Sequence, residues 1–141
     1  MNVNSTMNQI KQFLIVLFIL FSINCSAQKR NPEEIVQQQL DTYNNRDIDG
    51  FMSLFSDNVR LFNHADGKLL ADGKEEVRKL YKNLFEKSPN LHSELKNRMI
   101  LGNTVIDHEK ITGRMGNDEP IELIVIYELS ELKIIRVTVI R

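Results

Sequence analysis

Apolar positions along the chain fall into three regimes. Residues 13–21 are an unbroken apolar run, extended by Ile23. From Pro32 to Phe85 apolar residues recur mainly every third or fourth position, the spacing of helices with one buried face. From Leu91 to the end they recur every second position, the spacing of strands.

Within the helical part, Asn31, Pro32 and Glu34 make a helix start of cap, first-turn proline and capping-box acid. Val36, Leu40 and Tyr43 carry its stripe. Residues 44–46 break it, and Asp47 caps a short second helix through Ile48, Phe51, Met52 and Phe55. Gly50 weakens that helix slightly. Residues 58–63 then read as a strand, 64–67 as a turn and 68–71 as a short strand. Val77, Leu80, Tyr81, Leu84 and Phe85 mark the clearest helix, which Ser88 and Pro89 end. Four strands follow over 91–101, 104–112, 121–129 and 133–140, joined by short polar turns, so they form an antiparallel meander. Three amphipathic helices must cover one face of that sheet, which gives an α+β domain.

The apolar run at 13–23 is short for a membrane span, which needs roughly 20 residues. With Lys11 before it and small residues at Cys25 and Ala27 behind it, it reads as a signal peptide cut after Ala27. The division is therefore a signal peptide at 1–27 and a domain at 28–141, exported to the periplasm or beyond, with no membrane span in the mature chain. In the alternative reading Cys25 is the lipid-bearing first residue of a lipoprotein. An uncleaved anchor is a third reading.

Composition narrows the classes. The chain has 141 residues, enough for one domain, with 42% apolar and 26% charged residues. Eighteen basic against nineteen acidic side chains leave a net charge of −1, which argues against a nucleic-acid partner bound through a basic surface. A single cysteine excludes an intrachain disulfide and a cysteine-based zinc site. No cofactor or metal is expected.

The order helix, helix, strand, short strand, helix, four strands resembles the nuclear transport factor 2-like superfamily, which includes SnoaL-like polyketide cyclases and ketosteroid isomerases. Residues 40–51, with Asn44, Asp47 and Asp49 between the first two helices, resemble its signature there. Residues 54–59, 72–77 and 102–109 resemble its later junctions. The resemblance covers roughly 32–141. It implies a cone-shaped molecule, a curved antiparallel or mixed sheet wrapped around three N-terminal helices, with an apolar pocket at one end. It also implies a homodimer through the outer sheet face, with Ile100, Ile106, Ile124, Ile126 and Ile134 left outside. The isomerase roles do not carry over. The general-base Asp falls on Asn63, the oxyanion Tyr on Gln39, and the protonated Asp near Val125 or Ile126.

The polar residues that remain are few. His108 lies mid-strand, with Asp107 and Glu109 in phase with Val105 and Ile111 and His108 itself in phase with Ile106, Lys110 and Thr112. It is read either as a pocket base or as half of a polar pair on the outer face. His64 follows the first strand at the expected pocket mouth and is the second candidate base. Tyr43, Asn63, Tyr81 and Tyr127 are the expected ligand-binding pocket. Arg98 shares a face with Lys96 in a regular strand, which makes it a solvated edge residue. Three functional readings follow: a domain binding a small, largely apolar molecule; an isomerase or lyase acting beside a carbonyl with His108 or His64 as base and no cofactor; and a non-catalytic dimeric module.

Overall fold

A computed structural model of the protein describes residues 31–117 and 119–141. The expected signal peptide lies outside the described residues. Helix α1, Pro32–Asn45, starts where Asn31 accepts a hydrogen bond from the Glu34 amide at 3.0 Å, and it ends at Arg46 in the left-handed conformation. The Arg46 amide returns to the Thr42 and Tyr43 carbonyls, which would otherwise be unpaired. Helix α2, Ile48–Ser53, is capped by Asp47, whose carboxylate accepts from the Gly50 amide. A Cβ at Gly50 would collide with that carboxylate, so the glycine makes room for the cap.

The strands are β1, Phe55–Asn63, and β2, Leu69–Asp72; then, after helix α3, Lys74–Glu86, come β3, His92–Leu101, β4, Thr104–Thr112, β5, Ile121–Ser130, and β6, Lys133–Ile140. They form one open, mixed, six-stranded sheet in the order β2-β1-β6-β5-β4-β3. The meander from β3 to β6 is antiparallel as expected, and β1 pairs β6 in parallel. That pairing starts at Phe55 opposite Ile134, so β1 begins three residues earlier than the sequence pattern predicts.

The helices lie over one face of the sheet. Between them Tyr43, Phe51, Phe55, Tyr81 and Phe85 form an aromatic cluster with ring centroids 4.5–6.3 Å apart, mostly tilted or edge-on. Val59, Val77, Leu91, Val105, Ile134 and Val137 complete the buried core.

Two bulges decide which side chains face the helices. In β3, Leu95 pairs Glu109 and Asn97 pairs His108, which leaves Lys96 as the extra residue. Arg98 is thereby brought into register with Asp107 and turns inward, correcting its expected place on a solvated edge. Ile100 pairs Val105 on the same inner face, beyond the helices, and is exposed. At the start of β6, Leu129 pairs Ile134 and Glu128 pairs Arg136, so Ile135 is extra. Ile134 is therefore fully buried, which corrects its expected place outside. Ile106, Ile124 and Ile126 do lie on the outer face, where they are half-buried or exposed.

Candidate functional site

Strands β1, β4 and β6 run in the same direction and end at the same rim of the sheet. At that rim a cavity of about 400 Å³ opens between the sheet, α1 and α3. Its size is within the range of small-molecule sites. Leu61, Leu80, Leu84, Leu123, Val125 and Val139 supply apolar walls, and Tyr43, Tyr81 and Tyr127 supply aromatic ones.

Among the described residues Glu109 is the single carboxylate side chain lining the cavity, and it is 4% exposed. It sits on β4 in phase with Val105, Asp107 and Ile111, so the strand's alternation carries it inward. The Ser93 hydroxyl donates to Oε2 at 2.6 Å, and the Tyr127 hydroxyl donates to Oε1 at 3.4 Å. Burial pushes the Glu109 carboxyl above its ordinary range, and the neighbouring Asp107 charge adds to this. The hydrogen bonds from Ser93 and Tyr127 and the Arg98 charge pull the other way and offset only part of it.

The tyrosines respond to the same surroundings. Burial pushes the Tyr81 hydroxyl up to about 12, with the Glu109 charge adding, and Arg114 and Arg141 opposing. Burial also raises Tyr43 and Tyr127. All three are neutral donors at physiological pH. The Tyr43 and Tyr81 hydroxyls have no hydrogen-bond partner among the described residues. Gln39, also buried, lines the cavity, and its Oε1 is buried without a partner.

All four residues expected in the pocket, Tyr43, Asn63, Tyr81 and Tyr127, line the cavity. Asn63 stands at the rim, and its amide donates to Asp66 at 2.7 Å. The two candidate bases are elsewhere, which corrects the expectation of a pocket imidazole. His108 projects from the opposite face of β4, its side chain 43% exposed, and its Nε2 meets the Glu122 carboxylate at 3.1 Å. Period two forces this: with Asp107 and Glu109 inside, the residue between them is outside. His64 is exposed in the turn after β1, where its amide donates to the Val139 carbonyl, and it does not line the cavity. Asn63, Gln39 and Val125 line the cavity, whereas Ile126, the other position for the third isomerase role, lies on the outer face opposite Ile106.

The sequence pattern put Glu109 in phase with the apolar face without giving it a role in the pocket, and it pointed to neither Arg114 nor Arg141 as a cavity residue. The signal for Glu109 was its phase: a carboxylate in register with the apolar face of a strand is a buried carboxylate. Arg114 and Arg141 lie beyond the ends of β4 and β6, where no periodicity speaks for a side chain's direction.

Among the described residues no three His, Cys, Asp or Glu side chains converge as a metal site would require, and no helix is long and apolar enough to cross a membrane.

Comparison with known proteins agrees with this architecture. An uncharacterised cystatin-fold protein from Novosphingobium aromaticivorans superposes with a TM-score of 0.73 at 26% identity, over 79% of this chain and 99% of that one. An NTF2-like protein of unknown function from Cytophaga hutchinsonii superposes with a TM-score of 0.67 at 13% identity, over 79% and 90%. A protein from Jannaschia named as a candidate SnoaL-like polyketide cyclase gives 0.64 at 18%, over 79% and 89%. No curated protein matches the chain. The family model of the SnoaL-like domain matches residues 36–137, which span the sheet and the helices that build the cavity. The chain belongs to the SnoaL-like domain family, within the nuclear transport factor 2-like superfamily.

Proposed function

We propose that this domain binds a small molecule with a largely apolar body in the cavity and engages it at the inner end through Glu109. The observation that carries this reading is a buried carboxylate lining a 400 Å³ cavity whose other walls are aliphatic and tyrosine side chains. Such a group either accepts a hydrogen bond from the ligand or exchanges a proton with it. Titration with 2-naphthol, followed by melting temperature and fluorescence, tests it. A ligand at a hundred times its dissociation constant adds about 2.7 kcal/mol of stability. A panel of aromatic alcohols and ketones that leaves the melting temperature unmoved would overturn the reading.

The second reading is an isomerase or lyase acting beside a carbonyl, with Glu109 in the role first given to His108 or His64. The raised carboxyl of Glu109 favours it, because a base works best with a pKa near the operating pH. Glu109 would take a proton from the carbon next to the carbonyl. The unpartnered Tyr43 and Tyr81 hydroxyls line the same cavity and are of the type that steadies the resulting oxyanion. Exchange of α-hydrogen for deuterium in a bound ketone, watched by NMR and lost in Glu109→Gln, is the measurement. Equal exchange in both proteins would end this reading.

Two properties complete the proposal. The signal peptide at 1–27 sends the domain out of the cytoplasm, cut after Ala27 or, in the lipoprotein form, retained through Cys25; the N-terminus of the protein recovered from cells distinguishes these. The outer face, with Met99, Ile106, Ile124 and Ile126 on neighbouring strands, forms a homodimer, and sedimentation at micromolar concentration should report twice the protomer mass.

A further inference from the structure

Polarity along the cavity is one-directional. At the inner end, Glu109 and the partnerless Oε1 of Gln39 are both buried acceptors. At the rim, Arg114 follows β4 and Arg141 follows β6, and both line the cavity. Among the described residues neither guanidinium forms an ion pair or a side-chain hydrogen bond, although six of the chain's other basic side chains do pair with carboxylates. Among the described residues no acidic side chain lines the rim beside them. The body between the two ends is aliphatic and aromatic.

We infer that the ligand is an amphiphilic anion: a carboxylate held at the rim by Arg114 and Arg141, an apolar body, and a hydrogen-bond donor at the far end directed to Glu109 and Gln39. A planar guanidinium fork matches a carboxylate with two parallel hydrogen bonds, and two such forks around an opening favour a negative ligand before contact is made. A buried acceptor without a partner discriminates strongly for a ligand that brings a donor. This inference rests on the cavity being the binding site and adds the class of molecule that fills it.

Three related probes test it in the full chain: 6-hydroxy-2-naphthoate, which has both ends; 2-naphthol, which lacks the carboxylate; and 2-naphthoate, which lacks the donor. The expected result is that 6-hydroxy-2-naphthoate binds at least tenfold more tightly than either of the others at pH 7. Its advantage over 2-naphthol should shrink with added salt and vanish in the double variant Arg114→Gln/Arg141→Gln. Without ligand, the double variant should keep a cooperative melting transition and the wild-type far-ultraviolet circular dichroism, which shows that it is folded. If 2-naphthol binds as tightly as 6-hydroxy-2-naphthoate, or the advantage survives in the double variant, the anion is not recognised at the rim. The cavity reading would then stand without this inference. If 2-naphthoate equals 6-hydroxy-2-naphthoate, the donor end is wrong. If none of the three binds, both the inference and the cavity reading fail.

Discussion

Arg98 grips Asp107 across β3 and β4 through two parallel hydrogen bonds, Nε to Oδ1 and Nη2 to Oδ2, each 2.7 Å. The side chains are 8% and 0% exposed, and Nη1 of the same guanidinium donates to Gln37 on α1 at 3.0 Å. A buried pair of this geometry ties the edge strand, its neighbour and the first helix together, two residues along β4 from Glu109.

Breaking that pair should be costly. Asp107→Asn leaves the Arg98 charge buried without its counter-charge, and about 3–5 kcal/mol of stability should be lost. Urea unfolding measures it. Replacing both partners with apolar residues, Arg98→Met with Asp107→Leu, should recover much of the loss, because no buried charge then remains. A loss in Asp107→Asn below 1 kcal/mol would mean that water reaches the guanidinium.

Glu109 should impose a pH dependence on stability. Its carboxyl is raised in the folded protein, so the native state holds that proton more tightly than the unfolded chain does. The stabilisation is fully present below the ordinary carboxylate value of about 4.3 and is lost as pH rises through the raised value. Glu109→Gln stays neutral throughout and escapes this loss. Melting temperatures of the two proteins should therefore separate as pH rises above about 4, with the variant gaining on the wild type. Curves that run parallel from pH 4 to pH 8 would contradict the shift.

The loop after β4 should depend on Gly113. Its φ is +67°, and a Cβ there would strike the Asn90 carbonyl. Gly113→Ala meets both a left-handed backbone and a backbone atom that cannot yield, so a loss of about 1–3 kcal/mol is expected. Because Arg114 and Met115 follow directly and line the cavity rim, affinity for a cavity ligand should fall with it. Unchanged stability with unchanged binding would show that the loop rearranges without cost.

The aromatic cluster should dominate the helical side of the core. Phe51 is fully buried and touches Tyr43, Phe55, Tyr81 and Phe85. Phe51→Ala should lose about 3–5 kcal/mol, read from chemical denaturation. It should also loosen ligand binding, since Tyr43 and Tyr81 belong to the cluster and to the cavity wall.

Local rules were enough to read the elements from the sequence. The Asn31 cap, the stripe from Val77 to Phe85 and the change to period two after Leu91 each depend on residues a few positions apart, and each element formed where those residues said. The inward phase of Asp107 and Glu109 followed from the same alternation, and so did the outward phase of His108. What failed was carrying one phase through β3 and β6, where the register shifts. Lys96 and Ile135 are single extra residues, and nothing in their identities marks them as bulges. They exist because neighbouring strands of a twisted sheet must stay paired while side chains on one face fill a fixed volume. Those two residues turned Arg98 and Ile134 inward. The cavity itself was decided later still, by the ends of β1, β4 and β6 meeting at one rim. That meeting brings Asn63, Arg114 and Arg141, far apart in the chain, around one opening, and it depends on the parallel β1–β6 pairing, a contact across the length of the domain that no local pattern specifies.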